Sequence, residues 1–423
     1  MRASLLTVGD ELLIGQVVDT NAAWIAAAVD EHGGELARKL TCGDAVGAIA
    51  ESLAAAATGV DVVLVTGGLG PTTDDLTLEA IARYADRELE FRPEVFARIE
   101  RIFREIIKRP MSPGHRRQAM LPAGSEVLPN SQGTAPGVWL DLGPGAPTVI
   151  AMPGVPREMK AIMREAALPR LAEAYPGARR LHLTLLTAGW GETQIESAIT
   201  PALDDAAAAA GLSVAYLPGL GRVRLRLSAK PHAGESPAET RARLGAFARA
   251  VEALLPPGLV YGRGTTELVA VVHEHLRERG WVVATAESCT GGRLAHLLVE
   301  EAGASDVFHG GVVAYDNAVK IAALAVAPAT LRTHGAVSEA TVTEMVAGAR
   351  ARFGAEVAVA TSGIAGPTGG TPDKPVGTVW IAVGDAERTV ARQLSLGRDR
   401  ATNIAYSANA ALDLLRRFLQ GFA

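Results

Sequence analysis

The segment Ala286-Glu287-Ser288-Cys289-Thr290-Gly291-Gly292 gathers two hydroxyls, a thiol and a pair of glycines in one short stretch. Between a strand and a helix, such a turn presents backbone N–H groups and a helix N-terminus, a place for negative charge beside a choice of nucleophiles. The same residues also suit a structural turn, with Ser288 or Thr290 capping the helix and the glycines permitting close packing. Hydrolysis of an unactivated amide asks for a nucleophile, a base to take its proton, and donors aimed at the oxyanion. Ser288 could supply the first. The Gly291-Gly292 helix start, or Ser362-Gly363 at the head of a second glycine-rich loop (362–370), could supply the last. His309 and His334 sit in no motif, and no Gly-x-Ser-x-Gly elbow is present. Lys320 is the better base: it follows the end of a strand, where partial desolvation would lower the pKa of its amine. Only six of the 41 basic residues are lysines, and lysine, unlike arginine, can lose its proton at an attainable pH. A solvated helix lysine is the alternative reading. Cys289 is a rival nucleophile, since the start of a helix favours a thiolate.

A second constellation lies near the amino terminus. Gly67-Gly68-Leu69-Gly70-Pro71-Thr72-Thr73-Asp74-Asp75 fits neither a P-loop nor the dinucleotide glycine pattern. Its glycines still let backbone amides converge on an anion, and Asp74 and Asp75 could hold a divalent cation through oxygen. Asp10-Glu11 ends another strand and could share that edge. A tight turn whose acidic residues offset a helix dipole accounts for the same letters. Arg157, after the rigid 153–156 turn, could pair a phosphate or simply be solvated.

The elements that must carry these residues follow from periodicity. Residues 4–8 and 61–66 read as buried strands, and helices are expected near 20–29, 46–57 and from 76. In the middle, residues 221–227 alternate Arg222, Arg224 and Arg226 with apolar neighbours, a half-exposed strand. Tyr175-Pro176-Gly177 and Pro256-Pro257-Gly258 mark breaks. Further on, strands at 281–284, 307–315, 356–361 and 377–383 alternate with helices, the last of them over 398–419. Strands alternating with helices imply parallel sheets with ligands at the carboxyl ends of the strands. The expected fold is α/β: two three-layer α/β domains with mainly parallel sheets, over 1–170 and 259–423, joined by a small α+β domain over 171–258.

Bulk properties narrow the function. With 423 residues, 48% hydrophobic and 21% charged, the chain is an ordinary multidomain globular protein. A net charge of −5 argues against a general nucleic-acid binder. No apolar run long enough to span a membrane and no leader pattern is found. Two cysteines cannot make a disulfide framework or a zinc site. A cytoplasmic location is expected.

Three segments, Thr7-Val8-Gly9-Asp10-Glu11-Leu12-Leu13, the Gly67 to Asp75 turn, and Met152-Pro153-Gly154-Val155-Pro156-Arg157-Glu158-Met159, resemble signature segments of the competence/damage-inducible CinA family. Its amino-terminal domain is similar to molybdopterin-binding domains. The resemblance implies a metal-dependent ADP-ribose pyrophosphatase releasing AMP and ribose 5-phosphate. It places Gly67, Gly68, Gly70, Thr72, Asp75, Asn21, Pro153 and Gly154 around the substrate. Asp10 and Asp75 would hold a divalent ion such as Mg2+, K+ being the other cation left open. The middle segment resembles the family's KH-like domain, but Gly219-Leu220-Gly221 does not supply a Gly-x-x-Gly loop. The arginine strand is therefore read as a solvated face, and the segment as a spacer or a dimer element.

Four further segments resemble the nicotinamide-nucleotide amidohydrolase domain of the same family: the Ser288 turn, Tyr315-Asp316-Asn317-Ala318-Val319-Lys320, Gly335-Ala336-Val337-Ser338, and the stretch from Ser362 to Val379. This implies deamidation of nicotinamide mononucleotide to nicotinate mononucleotide and ammonia, without a cofactor. Ser288 would be the nucleophile and Lys320 its base, with Tyr315 and Ser362 assisting. Thr290, Gly291, Gly292, Gly363 and Gly366 would surround the substrate. An arginine after Gly397 would meet its phosphate; Arg400 is the choice, and Arg398 stays open. The expectation is a homodimeric, bifunctional enzyme of pyridine-nucleotide recycling with no nucleic-acid or membrane partner. Two alternatives stand beside it: an amino-terminal domain that binds a pterin or nucleotide without turnover, and a competence or DNA-repair scaffold.

Overall fold

In the computed structural model, which describes residues 1–176, 180–203 and 205–423, aliphatic runs form the strands. Gly177 of the expected 175–177 break lies outside the described residues. The chain divides into two compact units, Met1–Arg180 and Leu181–Ala423.

In the first unit, β1 (Arg2–Val8), β2 (Glu35–Cys42), β3 (Val62–Thr66), β4 (Leu89–Phe91), β5 (Met120–Pro122), β6 (Glu126–Leu128), β7 (Gly137–Leu140) and β8 (Thr148–Met152) are interleaved with helices. Six of them build one sheet in the order β2-β1-β3-β8-β7-β6. The sheet is parallel from β2 to β8 and turns antiparallel through β7 and β6. Strand β3 is buried throughout, and its side chains alternate between two cores. Val63 and Val65 pack with Leu6, Ile49, Leu53 and Ile81 on one face; Val62 and Leu64 pack with Leu5, Ile25, Ile150 and Met159 on the other. This is a three-layer α/β arrangement. The helix Leu168–Ala174 seats Leu168 and Leu171 in the second of these cores, so the unit continues past residue 170.

The second unit contains two sheets. Strands β9 (Leu181–Ala188), β10 (Leu212–Gly219), β11 (Arg222–Ala229) and β12 (Val260–Arg263) pair antiparallel in the order β10-β11-β9-β12. The helix Pro237–Ala253 covers one face, setting Leu244, Phe247 and Val251 against Val223, Leu225 and Leu227. The remaining strands are β13 (Val283–Glu287), β14 (Phe308–Val313), β15 (Val357–Gly363), β16 (Thr378–Gly384) and β17 (Thr389–Ser395), in the order β14-β13-β15-β16-β17. Here β14, β13 and β15 run parallel, while β16 and β17 extend the sheet antiparallel. One face presents Val283, Val357, Val359 and Ile381 to the helices Leu268–Arg279 and Arg400–Gln420. The other face presents Ala284, Ala286, Ala358 and Ala360, which let the helix Glu339–Phe353 sit close with Val342, Met345 and Val346. No helix among the described residues is long and apolar enough to cross a membrane.

Parallel pairing levels the strand ends that the sites need. Thr7 pairs with Thr66, and Thr66 with Met152, so Gly9, Gly67 and Pro153 leave one edge together. Glu287 pairs with both Val313 and Thr361, which levels the ends of β13, β14 and β15. Gly67 is required where it stands: its φ is +110°, and an added Cβ would lie 2.1 Å from the carbonyl oxygen of Val8. Gly67→Ala is expected to destabilise the first unit by about 1–3 kcal/mol, read as a lower denaturant midpoint; an unchanged midpoint would contradict the close approach.

Candidate active sites

Ser288 follows β13 directly, and its N–H donates to the Thr361 carbonyl oxygen at 2.9 Å, fixing the turn to the neighbouring strand. The side chain of Glu287, 1% exposed, folds back under the turn. Its carboxylate accepts from the Thr290 hydroxyl (2.7 Å) and from the N–H groups of Gly292 (3.0 Å), Leu294 (3.0 Å) and Ala295 (2.8 Å). The start of the helix Arg293–Val299 is thereby capped from within the protein. The Gly292 amide, expected to face an oxyanion, is committed to Glu287. The N–H groups of Cys289 and Thr290 make no hydrogen bond to another described residue and remain as the donors beside Ser288. Thr290 is itself 3% exposed, and its oxygen also meets the Thr361 hydroxyl at 2.6 Å; it supports the turn from behind.

Lys320 sits on the helix Asn317–Leu324, whose N-terminus is capped by Asp316 accepting from the Ala318 N–H at 2.7 Å. The lysine is 1% exposed. Its Nζ lies 3.2 Å from Ser288 Oγ, 2.8 Å from the Ala314 carbonyl oxygen and 3.2 Å from that of Tyr315. Burial pushes the pKa of this amine below the ordinary lysine value, against the opposing charge of Asp316. Burial pushes the Cys289 thiol the other way, up to about 12, and Glu287 adds to the rise. The sulfur is packed in the apolar core, so the thiolate expected from a helix start does not form. His309 instead bonds the Phe353 carbonyl, and the His334 carbonyl accepts from Lys374. Among the described residues, Lys320 is the amine within hydrogen-bond reach of the Ser288 hydroxyl.

Tyr315, 62% exposed, accepts at Oη from Arg400 Nη2 at 3.1 Å, and Arg400 Nη1 donates to the Gly366 carbonyl at 2.7 Å. The structure thus brings Arg400 to the Tyr315 side of the site. Arg398 lies over the ring of Tyr406 instead. Ser362 is buried and donates to the Ala336 carbonyl at 2.7 Å, tying the end of β15 to the 335–338 segment. Two residues that sequence reasoning gave no role hold the frame. Glu287 is a charge inside a buried strand, a visible signal. Asn403, fully buried, donates to the carbonyls of Ala365 (3.0 Å) and Arg398 (2.8 Å).

In the first unit, a cavity of about 380 Å3 opens at the strand ends, walled by Gly67, Gly68, Gly70, Pro153 and Gly154. Thr66 and Asn21 stitch that wall, donating to the carbonyls of Pro153 (3.0 Å) and Gly154 (2.7 Å). Asn21 lines the adjoining smaller cleft. The charged side chains lining the main cavity are all acidic: Glu11, Asp44, Asp74, Asp75 and Glu158. Asp75 accepts from the Thr72 N–H at 2.8 Å and from the Thr72 hydroxyl, which turns Thr72 inward to the loop. The expected metal ligand Asp10 does not line the cavity: its carboxylate accepts from the Asp44 N–H at 3.3 Å, while its own N–H donates to Asp44. Asp44 takes that place at the edge. Burial raises its carboxyl pKa, as do the charges of Asp10, Glu11 and Asp74. Arg157 does not line the cavity either. Among the described residues, no group of three or more His, Cys, Asp or Glu side chains stands in metal-ligating geometry.

Comparison with known proteins accords with these two halves. Residues 4–173 match the probable molybdopterin binding domain, and residues 265–419 match the CinA C-terminal domain. The protein is therefore an α/β chain that joins these two kinds of domain. A CinA-like protein of Cytophaga hutchinsonii is 40% identical over 420 residues, covering 99% of this chain and 98% of its own. A CinA-like protein of Salinibacter ruber is 42% identical over 419 residues, covering 99% and 100%. A crystal structure of the competence damage-inducible protein A (ComA) from Klebsiella pneumoniae is 40% identical, covers 37% of this chain and 97% of its own, and superposes with a TM-score of 0.36. The chain belongs to the CinA family.

The Glu287 cap carries a consequence. Glu287→Gln sets an amide NH2 among N–H donors, and is expected to lower stability by about 1–3 kcal/mol, measured by chemical denaturation, and to loosen the Ser288 turn. Parent-like stability would contradict the capping role.

Proposed function

We propose that the second unit hydrolyses the carboxamide of nicotinamide mononucleotide to nicotinate mononucleotide and ammonia by a serine–lysine mechanism. The observation that carries this reading is the buried Lys320 amine, 3.2 Å from Ser288 Oγ and held by two carbonyls. A neutral amine has two N–H groups and one lone pair. With the N–H groups on Ala314 and Tyr315, the lone pair is left for the Ser288 hydroxyl. Lys320 takes the hydroxyl proton as Oγ attacks the carboxamide carbon, and the N–H groups of Cys289 and Thr290 meet the oxyanion. The ammonium then protonates the departing nitrogen, ammonia leaves, and an ester to Ser288 remains. Water attacks that ester with Lys320 again as base, releasing the carboxylate and restoring Ser288. Arg400, anchored through two of its donors, offers its remaining N–H groups to the substrate phosphate beside Tyr315.

For the first unit we propose hydrolysis of ADP-ribose to AMP and ribose 5-phosphate. A pyrophosphate entering a cavity whose charged groups are all carboxylates is repelled unless a cation lies between them. The donor set fits a hard divalent ion such as Mg2+, which keeps several waters and needs only one or two carboxylates besides the substrate oxygens. Asp75 and Asp44, rather than Asp10, would hold it, and the ion would supply charge neutralisation during attack by water. The amide-rich 67–70 turn orients the phosphates, and Asn21 and Thr66 keep the Pro153-Gly154 wall in place.

In an ammonia-release assay on nicotinamide mononucleotide, Ser288→Ala and Lys320→Met are expected to lose roughly 10³-fold or more in kcat, while Cys289→Ala stays active. Because Lys320 acts as the free amine, kcat/KM should climb as pH rises through a pKa below the ordinary lysine value of about 10.4. Loss of activity in Cys289→Ala with survival of Lys320→Met would overturn the mechanism. Release of AMP from ADP-ribose should require added Mg2+ and stop with a chelator. Binding of ADP-ribose without turnover at any metal concentration would reduce the first unit to a binding module.

A further inference from the structure

A cavity of about 450 Å3 belongs to neither site. It lies in the second unit on the open face of the four-stranded sheet, opposite the face covered by the helix Pro237–Ala253. Antiparallel register sets Leu217 of β10, Arg224 of β11 and Leu186 of β9 in one row across that face. Gly219 stands opposite Arg222, so β10 adds no side chain to the next row. Tyr261 of β12 and Asn409 of the helix Arg400–Gln420 complete the walls.

The two arginines of this cavity are not equivalent. Arg222 is neutralised: Nη1 lies 3.2 Å from a Glu267 carboxylate oxygen, and Nη2 donates to the Asn409 side-chain oxygen at 2.6 Å. Arg224 has no hydrogen-bond or ion-pair partner among the described residues and is flanked by two leucines. The lining charges are thus Arg222, Arg224 and Glu267, leaving one uncompensated positive charge between Leu186 and Leu217 in a lining of mixed polar and apolar surface. A volume of this size lies within the range that encloses small organic molecules, and an arginine fork favours a carboxylate or phosphate.

We infer that this cavity is a binding site for a small organic anion with one acidic group, carboxylate or phosphate, and a flat apolar body. The acidic group pairs with Arg224, and the body lies over Leu186 and Leu217 against Tyr261. Arg222, locked by Glu267 and Asn409, shapes the wall and does not compete for the ligand. Asn409 rides nine residues along the helix that begins with Arg400, so an occupant touches the element that also reaches the amide-hydrolysis site.

The test uses the full chain and 2-naphthoate as probe, with neutral 2-naphthamide and inorganic phosphate as comparison ligands, followed by calorimetry. Saturable 2-naphthoate binding is expected, weakened about tenfold or more in Arg224→Leu and unchanged in Arg226→Leu, a matched loss of charge on the same strand outside the cavity. The amide should bind more weakly through loss of the charge, and phosphate more weakly through loss of the apolar body. Thermal melting of both variants should match the parent, since the side chain of Arg224 is exposed. No saturable binding, or binding equal in the parent and Arg224→Leu, would overturn the assignment. So would dissociation of an oligomer by Arg224→Glu in a parent that takes no probe, which would make this face a subunit interface.

Discussion

An amine without water around it governs the second unit. Lys320 can lose its proton only because the fold strips its solvation, and the stripped amine is tolerable only because three oxygens replace the lost water. The backbone of Ala314 makes this possible: its N–H donates to the Glu287 carbonyl at 2.7 Å while its own carbonyl accepts from Lys320. One residue therefore joins the strand that leads into Ser288 to the Lys320 amine. Cys289 beside them illustrates the opposite outcome of burial, since a desolvated thiol keeps its proton and loses its reactivity. The same dry environment lowers the pKa of the amine and raises that of the thiol.

The first unit solves a different electrostatic problem. Its strand ends deliver an amide-rich glycine turn, suited to anions, into a cavity edged by carboxylates. Neither feature alone defines a ligand; together they set anion-seeking amides and cation-seeking carboxylates around one cavity. Burial raises the carboxyl pKa of Asp44, and the neighbouring charges of Asp10, Glu11 and Asp74 add to the rise.

Much of the layout is readable from the letters because it rests on local rules. Residues 61–66 are dominated by aliphatic side chains, and β3 is buried along its whole length. The alternation of Arg222, Arg224 and Arg226 with apolar partners forecast a strand with one covered face, and β11 has it. What escaped depends on long-range register. That Asp10 turns to Asp44, and so leaves the cavity edge to it, follows from the pairing of β1 with β2. Asn403 bonds a loop 38 residues away, and nothing in the helix pattern around it marks that partner. The Gly292 amide looked free because the residue that claims it, Glu287, lies on the far side of the turn.

The helix Arg400–Gln420 is 21 residues long, about 30 Å of rigid rod. Arg400 at its head bridges Gly366 and Tyr315, Asn403 pins the loop that carries Ala365, Asn409 holds Arg222, and Arg416 grips the Gly258 carbonyl at 2.7 Å. A rod fastened at four places cannot slide at one of them alone. Displacing the arginine sheet relative to this rod would tug on Arg400, so the middle strands act as a strut that sets where its guanidinium sits.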